Sequence, residues 1–286
     1  MSVLHSPLWL RIGYEILYEI PRPTPMVLML YVHPERASDL AAPERIGTDP
    51  FVPIDEFIDP FGNRCARLIA PPGTFRVWNQ SIIADNGQPD AQDETARQHP
   101  IEELPADALQ YLLGSRYCEV DRLGSIAWDL FGKTPAGWPR VQAICNWVYE
   151  NVQFGYRFAR WNRTALDTYV ERRGVCRDMM HLAITFCRAM NIPARYATGY
   201  LADINAAPDP TPMDFSAFLE VYLGGKWWPL DARHNVPRIG RVLMARGRDA
   251  VDVALTTSFG PHKLLKFTVT TDEVASGMAP PMQSAA

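Results

Sequence analysis

The sequence lacks the features that mark several large classes of protein. Its five cysteines include no Cys-x-x-Cys pair, which argues against a zinc site or a disulfide framework. It contains no run of roughly 18 apolar residues, the length that a membrane-spanning helix requires. The net charge is -4, without the basic balance of a nucleic-acid surface. We therefore expect no metal, no membrane and no nucleic acid among its partners.

The amino-terminal segment lacks the pattern of a secretory signal. "MSVLHSPLWLRIGYEILYEI" has no basic start, no continuous apolar stretch and no small-residue cleavage site. An odd number of cysteines in a chain of 286 residues favours reduced thiols. We therefore expect a cytoplasmic protein.

The residues that are present divide the chain into two parts. Residues 1–100 hold β-prone runs and turn signals, end in a polar linker, and contain no stretch with a helical period, which predicts a β-rich, sandwich-like domain. Residues 101–275 begin with helical spacing of apolar residues and continue with strand-like runs. They predict an α+β core with added C-terminal strands. Residues 276–286 are expected to be disordered.

The stretch "RGVCRD" indicates a cysteine at the start of a helix. Gly174 is expected to permit a tight turn, and Cys176 falls in or near the first helical turn. Unpaired N–H groups and the helix dipole at that position favour a thiolate, so the pKa of the thiol is expected to be lowered. Asp178 is expected to help cap the helix. The alternative is that Cys176 is simply a buried cysteine.

The stretch "FSAFLEVYLGGKWWPLDARHN" predicts a β-hairpin with Gly224-Gly225 as its two-residue loop. The loop pairs Leu223 with Lys226, and directly opposed residues share a sheet face. When this pairing is continued away from the loop, the residues predicted to share one face of the sheet are Ser216, Phe218, Asp231 and Arg233. His234 falls on the opposite face unless a bulge or the end of the strand redirects it. Asp231 could equally be a solvated end of an apolar strand.

Two long segments resemble the bacterial transglutaminase-like superfamily. "RRGVCRDMMHLAITFCRAMNIPARYATGYL" followed by "DFSAFLEVYLGGKWWPLDARHN" is similar to the core of that family, in order and in spacing. The resemblance covers about residues 110–235, and the β-rich first part resembles the domain that precedes this core in many bacterial members. It implies a papain-like α+β core that carries out acyl transfer on amides of a peptide or protein substrate, without a required cofactor.

The resemblance also implies roles for individual residues. Cys176 matches the nucleophile, and Asp231 matches the carboxylate that orients an imidazole. The family pattern D-F-H-A falls on "DFSA", so Ser216 occupies the expected histidine position. Serine does not titrate near pH 7 and cannot take the thiol proton and return it to a leaving amine.

Two other histidines are considered as the base. His234 can substitute only if a bend of the chain brings it to the face of Asp231. His181 lies about 140° around the helix from Cys176, so we expect it to be a packing or surface residue.

The sequence therefore predicts a transglutaminase-like cysteine enzyme with an altered triad. It would act on peptide or glutamine amides, by transfer or hydrolysis, through a thioester on Cys176. The alternative is a family member that has lost the chemistry and uses its cleft as a peptide-binding module. Loss of a general base usually costs orders of magnitude in rate, but need not abolish activity.

Overall fold

A computed structural model describes residues 8–205 and 213–274 of the chain. The segment predicted to be disordered, 276–286, lies outside the described residues. The strands are β1 (Leu8–Ile20), β2 (Thr24–Leu28), β3 (Gly47–Asp49), β4 (Asp55–Ile58), β5 (Arg64–Ala70), β6 (Gly73–Asp85), β7 (Gln153–Phe154), β8 (Arg173–Gly174), β9 (Ala194–Ile204), β10 (Ser216–Leu223), β11 (Lys226–Leu230), β12 (Ile239–Gly247), β13 (Thr256–Ser258) and β14 (Lys263–Glu273). The α-helices are α1 (Ala106–Leu109), α2 (Val120–Phe131), α3 (Trp138–Asn151), α4 (Ala165–Glu171) and α5 (Cys176–Ala189).

Strands of the first part of the chain, together with β13 and β14 from the last part, form two four-stranded sheets. One sheet has the order β14-β1-β6-β3, and the other has the order β13-β2-β5-β4. Alternate residues of β1 and β6 point inward, as the period of a half-buried strand requires, and Leu10, Ile12, Phe75 and Val77 are fully buried. The inward residues of both sheets join one apolar cluster.

The C-terminal strands β13 and β14 do not extend the core, contrary to the expectation from the sequence. Strand β14 pairs along almost the whole of β1, from Leu10 opposite Glu273 to Glu19 opposite Lys263. Strand β13 pairs with β2. Both strands therefore belong to the sheets of the first part. Sequence patterns report where strands occur but not which distant strand they pair with, because pairing depends on contacts far apart in the chain.

The second part is an α+β core around helix α5. Residues of α5 at three- and four-residue spacing, among them Met179, Ala183 and Cys187, are fully buried. They pack with α2, α3 and α4 on one side and with β9 and β10 on the other. The core sheet has the order β11-β10-β9-β12. Its other face packs against the sandwich through Tyr200 and Val242. The predicted α+β class, with a β-rich part before the core, is confirmed.

The predicted hairpin has the expected register. Strands β10 and β11 pair antiparallel with Leu223 opposite Lys226, and Leu219 lies opposite Leu230. Gly224 and Gly225 both have positive φ, 60° and 89°, a backbone that glycine adopts without steric cost. Because the loop sets the register, it also sets which residues face the helices: the odd-numbered residues of β10 join the cluster around α5.

Candidate active site

Cys176 is the first residue of α5, as the sequence predicts. The Asp178 carboxylate accepts the N–H of Val175 at 3.0 Å, and this contact caps the helix start. The Arg177 guanidinium donates to the same carboxylate at 2.9 Å. The two interactions hold the first turn of α5, and with it the Cys176 side chain, in one orientation.

Gly174 is required for a different reason from the one the sequence suggested. Its φ is not among the positive values of the chain, so the turn itself does not demand glycine. A Cβ atom at position 174 would lie 2.7 Å from the Cβ of Asp178 and 2.9 Å from its Oδ2. Gly174 therefore leaves the space that the capping carboxylate occupies.

A cleft of about 860 Å³ opens at the Cys176 side chain. Its walls come from the start of α5, from the segment that contains Tyr156 and Trp161, from the start of β10, and from residues 250–257. Trp161 is highly exposed on this cleft, and Tyr156 is partly exposed. The cleft is therefore large enough for an extended peptide segment and offers aromatic surface to its apolar side chains.

Burial raises the pKa of the Cys176 thiol above its ordinary value. The backbone N–H of Ala217 and the charge of Arg233 oppose this rise, while Asp214 and Asp231 add to it. The expected lowering of the pKa is therefore wrong for the free protein, because removal from water outweighs the favourable dipoles at the helix start. The thiol form predominates, and removal of its proton needs a base.

His234 lies against Asp231, although the strand alternation placed it on the other face. Strand β11 ends at Leu230, and the chain then closes a turn in which the Asn235 N–H donates to the Asp231 carbonyl at 2.8 Å. This turn brings the Nδ1 atom of His234 within 2.9 Å of Asp231 Oδ2. This is the exception that the sequence left open, because alternation no longer applies once the strand has ended.

The Asp231 carboxylate is buried and carries a negative charge. Burial opposes ionisation, but the hydrogen bonds from His234 and the charge of Arg241 hold the pKa of Asp231 below its ordinary value. A carboxylate only accepts hydrogen bonds, so Nδ1 of His234 carries the proton and donates it. In the neutral imidazole the other ring nitrogen, Nε2, carries the lone pair that a general base uses.

Asp231 also forms a buried ion pair with Arg241, in addition to its contact with His234. Arg241 Nη2 lies 3.5 Å from Asp231 Oδ2 and 3.0 Å from Asp90 Oδ2. The guanidinium also stacks on the Phe218 ring, 4.4 Å from its centre. Asp90 comes from the linker after the sandwich, 151 residues before Arg241. The sequence analysis missed both Asp90 and Arg241, since nothing in their local sequence distinguishes them from surface charges.

Ser216 lies beside His234 rather than in the cleft of Cys176. The two residues line a small cavity of about 50 Å³, and Ser216 Oγ is buried with no hydrogen-bond partner in residues 8–205 and 213–274. This cavity and the Cys176 cleft share Tyr156, Asp214 and Phe215 as walls. In the same described residues, no hydrogen bond joins His234 to the Cys176 thiol. The structure thus pairs Asp231 with His234 and places Cys176 in the adjoining cleft.

His181 is a packing residue, in agreement with its predicted position on α5. Its ring is fully buried and stacks on Tyr117 with a centroid distance of 4.9 Å. Nε2 accepts the N–H of Ala250 at 3.1 Å. Burial keeps the pKa of His181 well below its ordinary value, so the ring is neutral.

The fold and this set of residues define a thiol-containing α+β core, and comparison with known proteins identifies its family. Residues 126–232 match the model of the transglutaminase-like superfamily. A crystal structure from Cytophaga hutchinsonii, described as a candidate cysteine protease, is 32% identical, covers 96% of this chain and 94% of its own, and superposes with a TM-score of 0.83. The chain belongs to the transglutaminase-like superfamily.

A curated relative covers a smaller part of the chain. The uncharacterized protein ML0607 of Mycobacterium leprae is 30% identical over 117 residues, which are 40% of this chain. The match spans 42% of that relative's length.

The described residues contain neither a membrane-spanning helix nor a metal-binding cluster. Within residues 8–205 and 213–274, no helix is both long and apolar enough to cross a membrane. The same part of the chain contains no group of three His, Cys, Asp or Glu side chains arranged to hold a metal ion.

Proposed function

We propose that the protein is a cysteine acyltransferase or hydrolase that acts on peptide or glutamine amides, with Cys176 as nucleophile and His234, in place of a histidine at position 216, as base. The observation that carries this proposal is the 2.9 Å contact between His234 Nδ1 and the buried Asp231 carboxylate. A histidine oriented by a carboxylate beside a thiol cleft is the arrangement that nucleophilic catalysis requires. The description of the Cytophaga hutchinsonii protein as a candidate cysteine protease supports thiol chemistry.

The proposed reaction begins with a protonated thiol. His234 Nε2 takes the proton as the Cys176 sulfur attacks the amide carbonyl, and a carbon–sulfur bond forms. The imidazolium, stabilised by Asp231, then gives the proton to the leaving nitrogen as the carbon–nitrogen bond breaks. An amine or water then attacks the thioester carbonyl and gives a proton to His234. As the carbon–sulfur bond breaks, the imidazolium returns this proton to the sulfur and the thiol is regenerated. The raised pKa of Cys176 makes this base essential rather than auxiliary.

No hydrogen bond joins His234 to Cys176 within residues 8–205 and 213–274, so the proposed proton transfer requires the two side chains to approach each other. The walls that separate their two cavities include Tyr156 and Asp214, and Asp214 is followed closely by the start of β10. Hydrogen bonds between catalytic groups are often long or absent before substrate binds and form only in the complex. We infer that a substrate in the cleft brings the imidazole and the thiol together.

A second candidate function is a peptide-binding module without catalysis. The raised pKa of the thiol and the lack of a thiol–imidazole hydrogen bond in the described residues favour it. The same cleft, with Trp161 and Tyr156 on its walls, would then hold a peptide without cleaving it.

We further propose that the protein works in the cytoplasm, since all five of its cysteines are free.

The test is a paired activity and binding assay. Glutamine-containing peptides are incubated with the protein, with and without a primary amine, and release of ammonia, transfer to the amine and peptide cleavage are measured. We expect turnover in the wild type, no turnover for Cys176→Ala, and a loss of about 100-fold or more in kcat/KM for His234→Gln. The control is His262→Gln, an exposed histidine outside the cleft.

The outcomes separate the two candidates. Full activity in His234→Gln would reject His234 as the base. Absence of turnover in the wild type, together with peptide binding that Trp161→Ala weakens, would favour the binding module. Addition of Ser216→His to His234→Ala provides a rescue arm, because it restores an imidazole next to the same cavity.

A further inference from the structure

A second large cavity lies at the open edge of the sandwich. Its volume is about 560 Å³, and the segment 50–54, which links β3 to β4, runs across it. The apolar side chains on its walls include Phe51, Val52, Ile54 and Trp78. Phe51 is almost fully exposed, with 86% of its surface accessible. This exposure is unusual, because phenylalanine side chains are normally buried in the core. This cavity, which we call the edge cleft, is separate from the Cys176 cleft and shares no wall residue with it.

The edge cleft contains a buried carboxylate with one unused oxygen. Glu44 is 2% exposed, and its Oε2 accepts the N–H of Val32 at 2.7 Å. Its Oε1 is buried and has no hydrogen-bond partner in the described residues, 8–205 and 213–274. A buried acceptor without a donor carries a free-energy penalty, so a native protein normally supplies a partner.

The neighbouring polar side chains do not supply that donor. Arg64 lies over the Tyr31 ring at 4.0 Å and donates to Glu56 at 2.7 Å. The Tyr31 hydroxyl donates to Glu56 at 2.7 Å as well. Both groups donate to Glu56, and no donor among the described residues, 8–205 and 213–274, bonds Glu44 Oε1, which is left for a group that enters the cleft.

Within the described part of the chain, two further buried polar atoms of the sandwich core have no partner. The hydroxyls of Tyr14 and Tyr200 are buried and have no hydrogen-bond partner among the residues that the structure describes. Burial raises the pKa of each phenol, and the charge of Glu44 contributes to the rise in both. Neither tyrosine lines the edge cleft, so Glu44 Oε1 is the unpaired acceptor that an ammonium group entering the cleft would meet.

We propose that the edge cleft binds a primary ammonium group carried on an apolar stem, with Glu44 as its ion partner. The apolar walls accommodate the stem, and the aromatic rings of Phe51 and Trp78 favour a cation close to them. A lysine side chain and a free alkylamine both have this chemistry. This site is independent of the reaction proposed for Cys176.

The test measures binding of Nα-acetyl-lysine methyl ester by calorimetry and by methyl NMR of the intact protein. A second arm uses cadaverine, so that binding of a free alkylamine can be distinguished from binding of a lysine residue. The matched ligand is Nα-acetyl-norleucine methyl ester, which has the same kind of stem without the amine. We expect saturable binding of an amine, weakened at least tenfold by Glu44→Gln, and no binding of the norleucine compound.

The control variant is Glu19→Gln, an exposed glutamate of β1 outside the edge cleft, which should bind the amine normally. Phe51→Ala removes an exposed wall and should weaken binding while leaving the fold intact, so it decides the question if Glu44→Gln does not fold. Equal binding by wild type and Glu44→Gln, equal binding of the norleucine compound, or no saturable amine binding would each overturn the proposal. A crystal structure at saturating amine with only water on Glu44 Oε1 would do the same.

Discussion

Asp90 and Arg241 form a buried ion pair, with Oδ2 and Nη2 3.0 Å apart and both side chains at most 10% exposed. Arg241 also contacts Asp231, so a residue of the linker supports the candidate active site through one guanidinium. The Asp90 carboxylate additionally accepts the backbone N–H of Arg238 at 3.0 Å. The linker is therefore part of the site's framework and more than a connection between the two parts of the chain.

The first prediction concerns the stability of this arrangement. Asp90→Ala leaves the buried Arg241 with one partner at 3.5 Å, and we expect it to lower the free energy of unfolding by about 3 kcal/mol, since breaking a buried pair strands a charge. Urea unfolding measures the change. The control is Asp55→Ala, which removes an exposed ion pair with Arg67 and should cost less than about 1 kcal/mol. Equal effects of the two substitutions would contradict a framework role for Asp90.

The second prediction concerns the ionisation of Cys176. Because burial raises the pKa of the thiol, alkylation by iodoacetamide should increase with pH through a midpoint above about 8.5, the value of a free thiol. The nearby negative charge of Asp231 adds to the rise, so Asp231→Asn should lower the midpoint. Peptide mass spectrometry follows Cys176 separately from the other four cysteines. A wild-type midpoint near neutral pH would show a thiolate already formed in the free protein.

The third prediction concerns Glu44 and pH. Burial raises its pKa from 4.5 to about 7, so between these values the folded protein holds a proton that the unfolded chain releases. Its contribution to stability is complete at low pH and is lost as pH rises through 7, a change of about 3 kcal/mol. Urea unfolding at pH 4.5 and pH 7.5 should therefore show wild type losing stability relative to Glu44→Gln. A difference between the two proteins that does not vary with pH would refute this origin.

The fourth prediction compares two glycines. Gly174→Ala places a Cβ atom 2.7 Å from the Asp178 side chain, so it should displace the cap of α5 and lower stability. Gly124, within α2, has nothing within 4 Å of an added Cβ, so Gly124→Ala should raise stability by about 0.5–1 kcal/mol through helix propensity. Thermal unfolding measures both changes, which should have opposite signs. If Gly174→Ala unfolds at the wild-type temperature, the capping carboxylate has room that the structure does not show.

The sequence was most informative where structure depends on neighbours in the chain. The hairpin register followed from the Gly224-Gly225 loop, because a two-residue loop determines the residues that pair beside it. The helix start at Cys176 followed from the local pattern in the same way. The sequence left the position of His234 open, since it depends on where β11 ends and on a turn closed by Asn235.

Long-range contacts lay beyond the reach of sequence patterns. The pairing of β14 with β1 joins residues about 250 positions apart, and no local signal records it. The support of Asp231 by Asp90 has the same character, because a buried ion pair becomes recognisable only when distant elements are brought together. The burial that raises the pKa of Cys176 likewise depends on packing across the whole core.

The pairing of β14 with β1 also constrains how the protein is made. During synthesis, β1 leaves the ribosome early, but one of its two neighbours, Lys263–Glu273, is translated after the entire core. Until then β1 presents an unpaired edge to other chains, a condition that favours association between nascent molecules. The α+β core has all its strands within residues 153–247 and is free to fold first. Completion of the sandwich is therefore the last of these steps. A chain terminated just before residue 263 would retain the core, but it would remain prone to aggregate through the open edge of β1.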